Sequence, residues 1–250
     1  MNVLTQPTFR IAMADDGASL TAAQALRYRV FVEELGANGP MVDHDERLER
    51  DAFDDHCDHM LLFDDAIGEV VGVYRLIRPE HAADIGRYYS ENEFDLSGLR
   101  STGRRLLELG RSCLHAEYRG GAAMYHLWNG LADYVRAHQI DLLFGVASFP
   151  GTDTQALAEP LSILHHRFLA PEGIRPNARG ENAVAMDILE SEQIDRRQAM
   201  VCIPALIKGY LRLGGMVGQG AWIDHAFNTT DVCLVLDTER MNARQRSIYS

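Results

Sequence analysis

The stretch "LLELGRSCLHAEYRGGAAMYHLW", Leu106 to Trp128, decides how this chain is read. Its first part is an apolar run of strand character with Glu108 and Arg111 set into it. A short basic turn follows, Arg119–Gly120–Gly121. Beyond it Met124, Leu127, Leu131 and Val135 fall on one helical stripe. A strand–turn–helix of this kind offers the first N–H groups of the helix to an anion. Gly120 and Gly121 allow a ligand close to the backbone, and Arg119 adds charge. The same residues also suit a turn that merely reverses the chain. Side chains three apart on a strand point to opposite faces. A bulge at Gly110 would bring Glu108 and Arg111 to one cleft; the alternative is a buried structural ion pair.

The rest of the chain supplies the frame. It has 250 residues, 46% hydrophobic and 24% charged, enough for a substantial soluble core. A formal net charge of −12 argues against broad binding to nucleic acid or to an anionic membrane. The cations are almost all arginine, with Lys208 the one lysine. Arginine forks suit carboxylate and phosphate. Cys57, Cys113, Cys202 and Cys233 show no paired metal spacing. No apolar run approaches the roughly 20 residues of a membrane span, and the N-terminus lacks a signal core. A reducing, cytoplasmic setting is expected.

"SLTAAQALRYRVFVEELG" predicts a helix, with Thr21 and Gln24 as its capping box and Gly36 as its stop. Ala37 to Asp58 is an acidic, loop-like segment. "HMLLFDD" and "VVGVYRLIRP" predict two strands around a turn. "RLLELGRSCLHAE", "DLLFGVASFP", "AVAMDIL" and "DVCLVLDT" predict further strands. "AAMYHLWNGLADYVRAHQ" and "DTQALAEPLSILHHRFLA" predict helices. "IDRRQAMVCIPALIKGYLRLGG" is helical, with Pro204 marking a kink or boundary. "ERMNARQRSIY" predicts a closing helix. The loose alternation implies an α/β (α+β) fold with a mixed sheet flanked by helices. With no repeat and no low-complexity linker, one domain over residues 1–250 is expected.

In this order, strand, basic glycine turn and helix resemble the GNAT acyltransferase superfamily, whose members bind a phosphopantetheine thioester at that turn and acylate an amine. "RYRVFVEELG", "DAFDDHCDH", "VVGVYRLIRP" and "ELGR" occur in the order seen in acyl-homoserine-lactone synthases. "ASFPGTDTQALAEPLSILHHRF", "IPALIKGYLRLGGMVGQGAWID" and "FNTTDVCLVLD" look like the bacterial L-ornithine N-acyltransferases, which make lyso-ornithine lipid from a 3-hydroxyacyl-carrier protein and ornithine. The likeness runs from about residue 20 to about residue 237, with residues 190–250 as a family-specific extension.

The resemblance implies a GNAT-like fold and an acyl-carrier-protein-dependent amino acid N-acyltransferase. It makes Glu108 and Arg111 the catalytic pair, with Glu108 as candidate base. It makes Arg29, Phe31, Asp51, Asp54, Arg75 and Ser148 substrate-binding. Arg111, Arg75 and Arg29 compete for the ornithine carboxylate, while Asp51 and Asp54 suit its side-chain ammonium. It places the phosphopantetheine arm on Arg119, Gly120, Gly121, Ala122 and Ala123. Ala122 and Met124 depart from the usual Arg/Gln-x-x-Gly-x-Gly/Ala pattern. That loosens a pyrophosphate cradle and favours a carrier-protein donor over CoA. The donor thioester is a substrate, and no permanently bound cofactor is expected. Arg100, Arg104, Arg105 and Arg119 are a candidate patch for the acidic carrier protein. Ile203–Leu213 has three readings: an acyl trough, a peripheral membrane contact or ordinary core.

Three other motifs fail on context. "FDDHCDH" holds metal-ligand types, but in a loop running into a strand rather than on a helix. "GGMVGQG" follows a helix, not a strand, so it is no dinucleotide fingerprint. Ser148 in "GVASFPG" lacks the flanking glycines of a nucleophile elbow. The remaining alternatives are a signal synthase of the acyl-homoserine-lactone kind and a non-catalytic module that binds acyl carrier protein or lipid.

Overall fold

The first helix sets the entry to the fold, and it starts earlier than the sequence predicts. In the computed structural model, which describes residues 6–240, strand β1 (Phe9–Met13) leads into helix α1 (Gly17–Arg27). Asp16 caps α1: its carboxylate accepts the Ser19 N–H at 2.7 Å, and the Ser19 hydroxyl accepts the Asp16 N–H at 3.2 Å. Thr21 and Gln24 are therefore not the cap. The Thr21 hydroxyl donates to the Gly17 carbonyl inside the helix, and Gln24 is buried. The chain then widens into a π-helical segment, Tyr28–Glu34. Such segments are rare and recur at functional sites. Gly36, at φ +78°, ends it as expected.

Strands β2 (Asp58–Asp64) and β3 (Glu69–Ile77) follow as an antiparallel hairpin. β4 (Leu106–Leu114) is the strand that opens the deciding stretch, and α2 (Ala123–Ala137) is the helix behind its turn. β5 (Leu142–Pro150) and α3 (Ala158–Phe168) come next. Pro160 lies in the first turn of α3, where a missing N–H costs little. Ala183–Val184 is all that forms of the strand expected at "AVAMDIL". Pro204 separates α4 (Arg196–Cys202) from α5 (Ala205–Arg212), so one expected helix is two. β6 (Ala221–Asp224) and β7 (Thr229–Asp237) close the described chain. The helix expected at "ERMNARQRSIY" lies almost wholly outside the described residues.

The chain forms two compact units. The first holds residues up to Ile85 and Leu109–Gln139. In it β1 pairs antiparallel with β2, and β2 with β3. Helix α2 lies over these strands through Gly130, where an added Cβ would stand 2.9 Å from an Ile11 methyl and 3.1 Å from the Met60 sulfur. Gly72 on β3 is as tight, with 3.1 Å to Leu62 Cβ. The second unit holds Gly86–Glu108 and the residues from Ile140 onward. There the first half of β4 runs parallel to β5, β5 pairs antiparallel with β7, and β7 with β6. Strands are thus antiparallel in the first unit and of mixed direction in the second, each with helices beside them, an α/β arrangement. No helix among the described residues is long and apolar enough to cross a membrane.

Gly130→Val is expected to overpack the seam between α2 and β1–β2, at about 1–3 kcal/mol. A thermal melt should show Tm lowered by several degrees, and a wild-type Tm would disprove the tight seam.

Candidate active site

In the first unit six charged side chains close into a ring of alternating sign. Arg27 forks onto Asp54, Nη1 to Oδ1 at 2.9 Å and Nη2 to Oδ2 at 3.0 Å. Its Nε donates to Glu49 Oε2. Glu49 Oε1 accepts from Arg111 Nε at 3.0 Å. Arg111 Nη2 reaches Asp51 Oδ2 at 3.1 Å. Asp51 Oδ1 accepts from Arg75 Nη1 at 2.6 Å, and the same Nη1 returns to Asp54 Oδ1 at 3.0 Å. Three guanidinium groups and three carboxylates leave no formal charge. That balance is what makes the burial tolerable: Arg27, Arg75 and Glu49 are each 0% exposed.

Local structure delivers each member. Arg27 ends α1, one turn past Gln24, whose amide donates to Asp54 Oδ2 at 3.0 Å. A short 3-10 turn, Asp54–His56, presents Asp54, and Asp51 lies just before it. The His59 imidazole fixes that turn through Nε2 and the Asp54 carbonyl at 2.9 Å. His59 stands opposite Arg75 in the β2–β3 register. Burial pushes the His59 pKa down, keeping the ring neutral. Burial alone would raise the pKa of Asp54 and Asp51. Arg27 and Arg75 more than offset this at Asp54, as do Arg75 and Arg111 at Asp51, so both fall below the usual carboxylate range.

Arg111 enters the ring from an irregular backbone. Its φ is +48°, the left-handed region, within β4. The irregular residue is thus Arg111 itself, next to Gly110. Arg29, expected to bind substrate, is exposed on the π-helical segment, outside the ring. Phe31 is half-buried and packs on a core of Ala23, Leu26, Val30, Leu61, Val73 and Cys113. Arg27 and Glu49 are the members that sequence reasoning missed. Their only sequence signal is a charge set into apolar periodicity, in "QALRY" and "RLERD".

Glu108 lies in the second unit and is 2% exposed. Its carboxylate accepts the Tyr89 N–H on Oε2 at 2.7 Å and the Ser90 N–H on Oε1 at 2.6 Å. The Ser90 hydroxyl also donates to Oε1. Glu108 thus sits in a cradle of donors.

The turn after β4 is tied down at three points. The Tyr118 hydroxyl donates to Asp64 Oδ2 at 2.8 Å. Burial and that carboxylate push the Tyr118 pKa up to about 12. Arg119 donates to the Leu114 carbonyl from Nε at 3.1 Å and from Nη2 at 2.9 Å, and it pairs with Glu34. Gly120 takes φ +76°. Ala122 caps α2 without a side-chain acceptor, and Ala123 begins the helix. The N–H groups are thus presented by backbone geometry, while Arg119 braces the turn.

Ser148 is exposed on β5, opposite Asp231 in the β5–β7 register. Asp231, Glu93 and Asp224 are buried with carboxylate oxygens within 4.8 Å of one another. The patch arginines have local acidic partners: Arg100 with Glu91, Arg104 with Asp237, Arg119 with Glu34. In the Ile203–Leu213 stretch, Ile203, Ile207, Tyr210 and Leu213 are buried, so its apolar face is core.

The depressed carboxylates set an acid limit. Their contribution to stability is complete above the unfolded aspartate pKa of about 3.9 and is lost as pH falls towards their lower folded values. Urea midpoints should hold from pH 7 to 5 and drop below about pH 4. Asp54→Asn leaves the ring with one excess positive charge. It should cost about 3–5 kcal/mol and flatten that acid dependence; a near-wild-type midpoint would show the ring is dispensable.

An acetyltransferase (GNAT) domain model matches residues 26–129. Among solved structures, the chain is similar to the acyl-homoserine-lactone synthase LasI, with a TM-score of 0.51 at 15% identity over 98% of this chain and 95% of that one. It is also similar to FeeM, an N-acyl amino acid synthase from uncultured soil microbes, with a TM-score of 0.54 at 14% identity over 97% and 95%. At these identities the likeness concerns the fold. Curated relatives are much nearer. The L-ornithine N(alpha)-acyltransferase of Rhodobacter capsulatus is 54% identical over 97% of this chain and 95% of its own. The proteins of that name from Brucella abortus and Agrobacterium fabrum are 42% and 43% identical over 97% of this chain, and over 89% and 85% of their own. Sharing 42–54% identity with these proteins across 97% of its length, the chain belongs to the L-ornithine N(alpha)-acyltransferase family, an acyltransferase family of GNAT fold.

Proposed function

We propose that this protein transfers a 3-hydroxyacyl chain from the thioester of acyl carrier protein to the α-amine of L-ornithine, giving a lyso-ornithine lipid. The observation that carries the reading is the 54% identity to a relative of that name, sustained over nearly both whole chains. Such identity leaves little room for a different acceptor class. The amine nitrogen attacks the thioester carbonyl, the C–N bond forms and the C–S bond breaks. One amine proton leaves, and the sulfur departs as a thiol.

Glu108 is the proton acceptor in this reading, directly or through a water. An α-amine has a pKa near 8, so a buried carboxylate needs to take only the last proton as the C–N bond forms. Arg111 and Arg75 suit the ornithine carboxylate. Asp51 and Asp54 suit an ammonium less well than their residue types imply, because guanidinium donors of the ring engage the oxygens of both. They hold the arginines instead. The pantetheine phosphate goes to the N–H groups of Gly121, Ala122 and Ala123. Carrier protein is preferred to CoA because Ala122 and Met124 depart from the glycine pattern of a pyrophosphate cradle. A peripheral contact with the membrane would serve release of the lipid product.

A mass-spectrometric assay tests this. Purified protein receives 3-hydroxyacyl-carrier protein or the matching acyl-CoA, with ornithine, lysine, glutamine or S-adenosylmethionine. N-acylornithine, formed mainly from the carrier-protein donor, is expected. A homoserine lactone from S-adenosylmethionine, or no product with any amine, would overturn the reading. Glu108→Gln should lower kcat by about 10²–10⁴-fold with a cooperative melt retained. Wild-type turnover in that variant would remove Glu108 from proton transfer.

A further inference from the structure

Resting on the assignment of Glu108 as proton acceptor, we propose that Ser90 is a positioning residue for acyl transfer: its N–H and hydroxyl hold Oε1 of Glu108 and fix the carboxylate. Ser90 is 0% exposed and supplies two donors to one oxygen. Its N–H lies 2.6 Å from Oε1, and its hydroxyl donates to the same atom. A carboxylate oxygen has two lone-pair directions, so these two donors fill Oε1. Oε2 accepts the Tyr89 N–H at 2.7 Å. A carboxylate held this way is fixed in rotation and favoured in its charged form.

The cradle is rigid for reasons visible in the sequence "YYSENE". Tyr89–Asn92 is a 3-10 turn whose first N–H groups would otherwise lack partners. Tyr88 and Glu91 form a capping box, with the Tyr88 N–H on Glu91 Oε2 at 2.8 Å. Arg100 holds the other oxygen of Glu91 at 2.6 Å and stacks over the Tyr88 ring at 5.7 Å. The Tyr88 ring meets Phe144 edge-on at 5.1 Å. Phe144 is the register partner of Glu108. The turn that donates to the carboxylate is thus fastened beside the strand position that carries it.

Titratable groups in these surroundings include Cys233 on β7 and Glu93 after the turn. Burial pushes the Cys233 thiol well up, and the Glu108 and Glu93 charges push it further. The donors of Tyr89 and Ser90 favour the charged form of Glu108, and removing one has a measurable consequence.

The experiment follows kcat and KM against pH for wild type, Ser90→Ala, Ser90→Thr and Glu108→Gln, with ornithine and the 3-hydroxyacyl-carrier protein. Ser90→Ala is expected to lower kcat about tenfold or more, leave KM for ornithine within about twofold, and move the acidic limb of the kcat profile up by about one unit. Ser90→Thr, which keeps the hydroxyl, should bring the limb back. An unmoved limb in Ser90→Ala overturns the proposal, whether kcat is unchanged or falls together with stability. Should Ser90→Ala fail to fold, Ser90→Cys, with a weaker donor of similar size, must show the same upward limb shift. Full activity in Glu108→Gln would overturn the proton-acceptor reading, and Ser90's role with it. An inactive wild type beside a well-folded Ser90→Ala would instead point to the wrong acceptor or donor.

Discussion

The closed ring of Arg27, Glu49, Arg111, Asp51, Arg75 and Asp54 is the constraint on which the first unit depends. Taking one ion out of water costs several kcal/mol, and attraction to a partner repays this only with good geometry. Here each carboxylate oxygen of the ring meets a guanidinium donor. The ring ties together the end of α1, the acidic loop, β3 and β4, so segments far apart in sequence are locked by the same charges. It also explains why Arg111 keeps a left-handed backbone. A conformation costing about 1–3 kcal/mol persists because Glu49 and Asp51 hold the guanidinium from two sides.

This changes what the acidic loop is for. Judged by residue type, Asp51 and Asp54 suit an ammonium. In place, they are the counter-ions that keep two buried arginines charged, oriented and out of water. An arginine held this way is better prepared to read a carboxylate than a free one, because its side-chain entropy is already spent. Glu108 follows the same logic with different partners. Backbone N–H groups and a hydroxyl donate to its carboxylate and stabilise its charge.

The donor turn shows a third use of fixed geometry. Arg119 is the residue that sequence motifs mark for phosphate, yet its guanidinium is committed to the Leu114 carbonyl and to Glu34. What the turn leaves for an anion is the N–H groups at the start of α2, the site proposed above for the pantetheine phosphate, with Gly120 at φ +76° shaping the approach. The fold is common to proteins of very different sequence: LasI and FeeM share it at 14–15% identity. At such identity what is shared is the fold alone.

Much of this was legible in the amino-acid sequence. The β2–β3 hairpin, the strand–turn–helix of Leu106 to Ala137, the buried strands at β5 and β7 and the break at Pro204 all follow from periodicity, glycine and proline. Each depends on local preferences that a chain carries wherever it is placed. Glu108, Arg111, Asp51, Asp54 and Arg75 could be named by motif. Their partnerships could not. Arg27 looked like one more charge in a helix, Glu49 like one more acid in a loop, Ser90 like a turn residue and Gln24 like a cap. Their roles arise only when α1, the loop after it and β4 meet, or when the turn at Tyr89 closes on Glu108. The sequence by itself determined the order and kind of most elements and marked the candidates for chemistry. Tertiary structure alone decided which charge faces which, because a buried ion's partner is set by distance in space and by the cost of leaving it unpaired, and neither quantity is local to the chain.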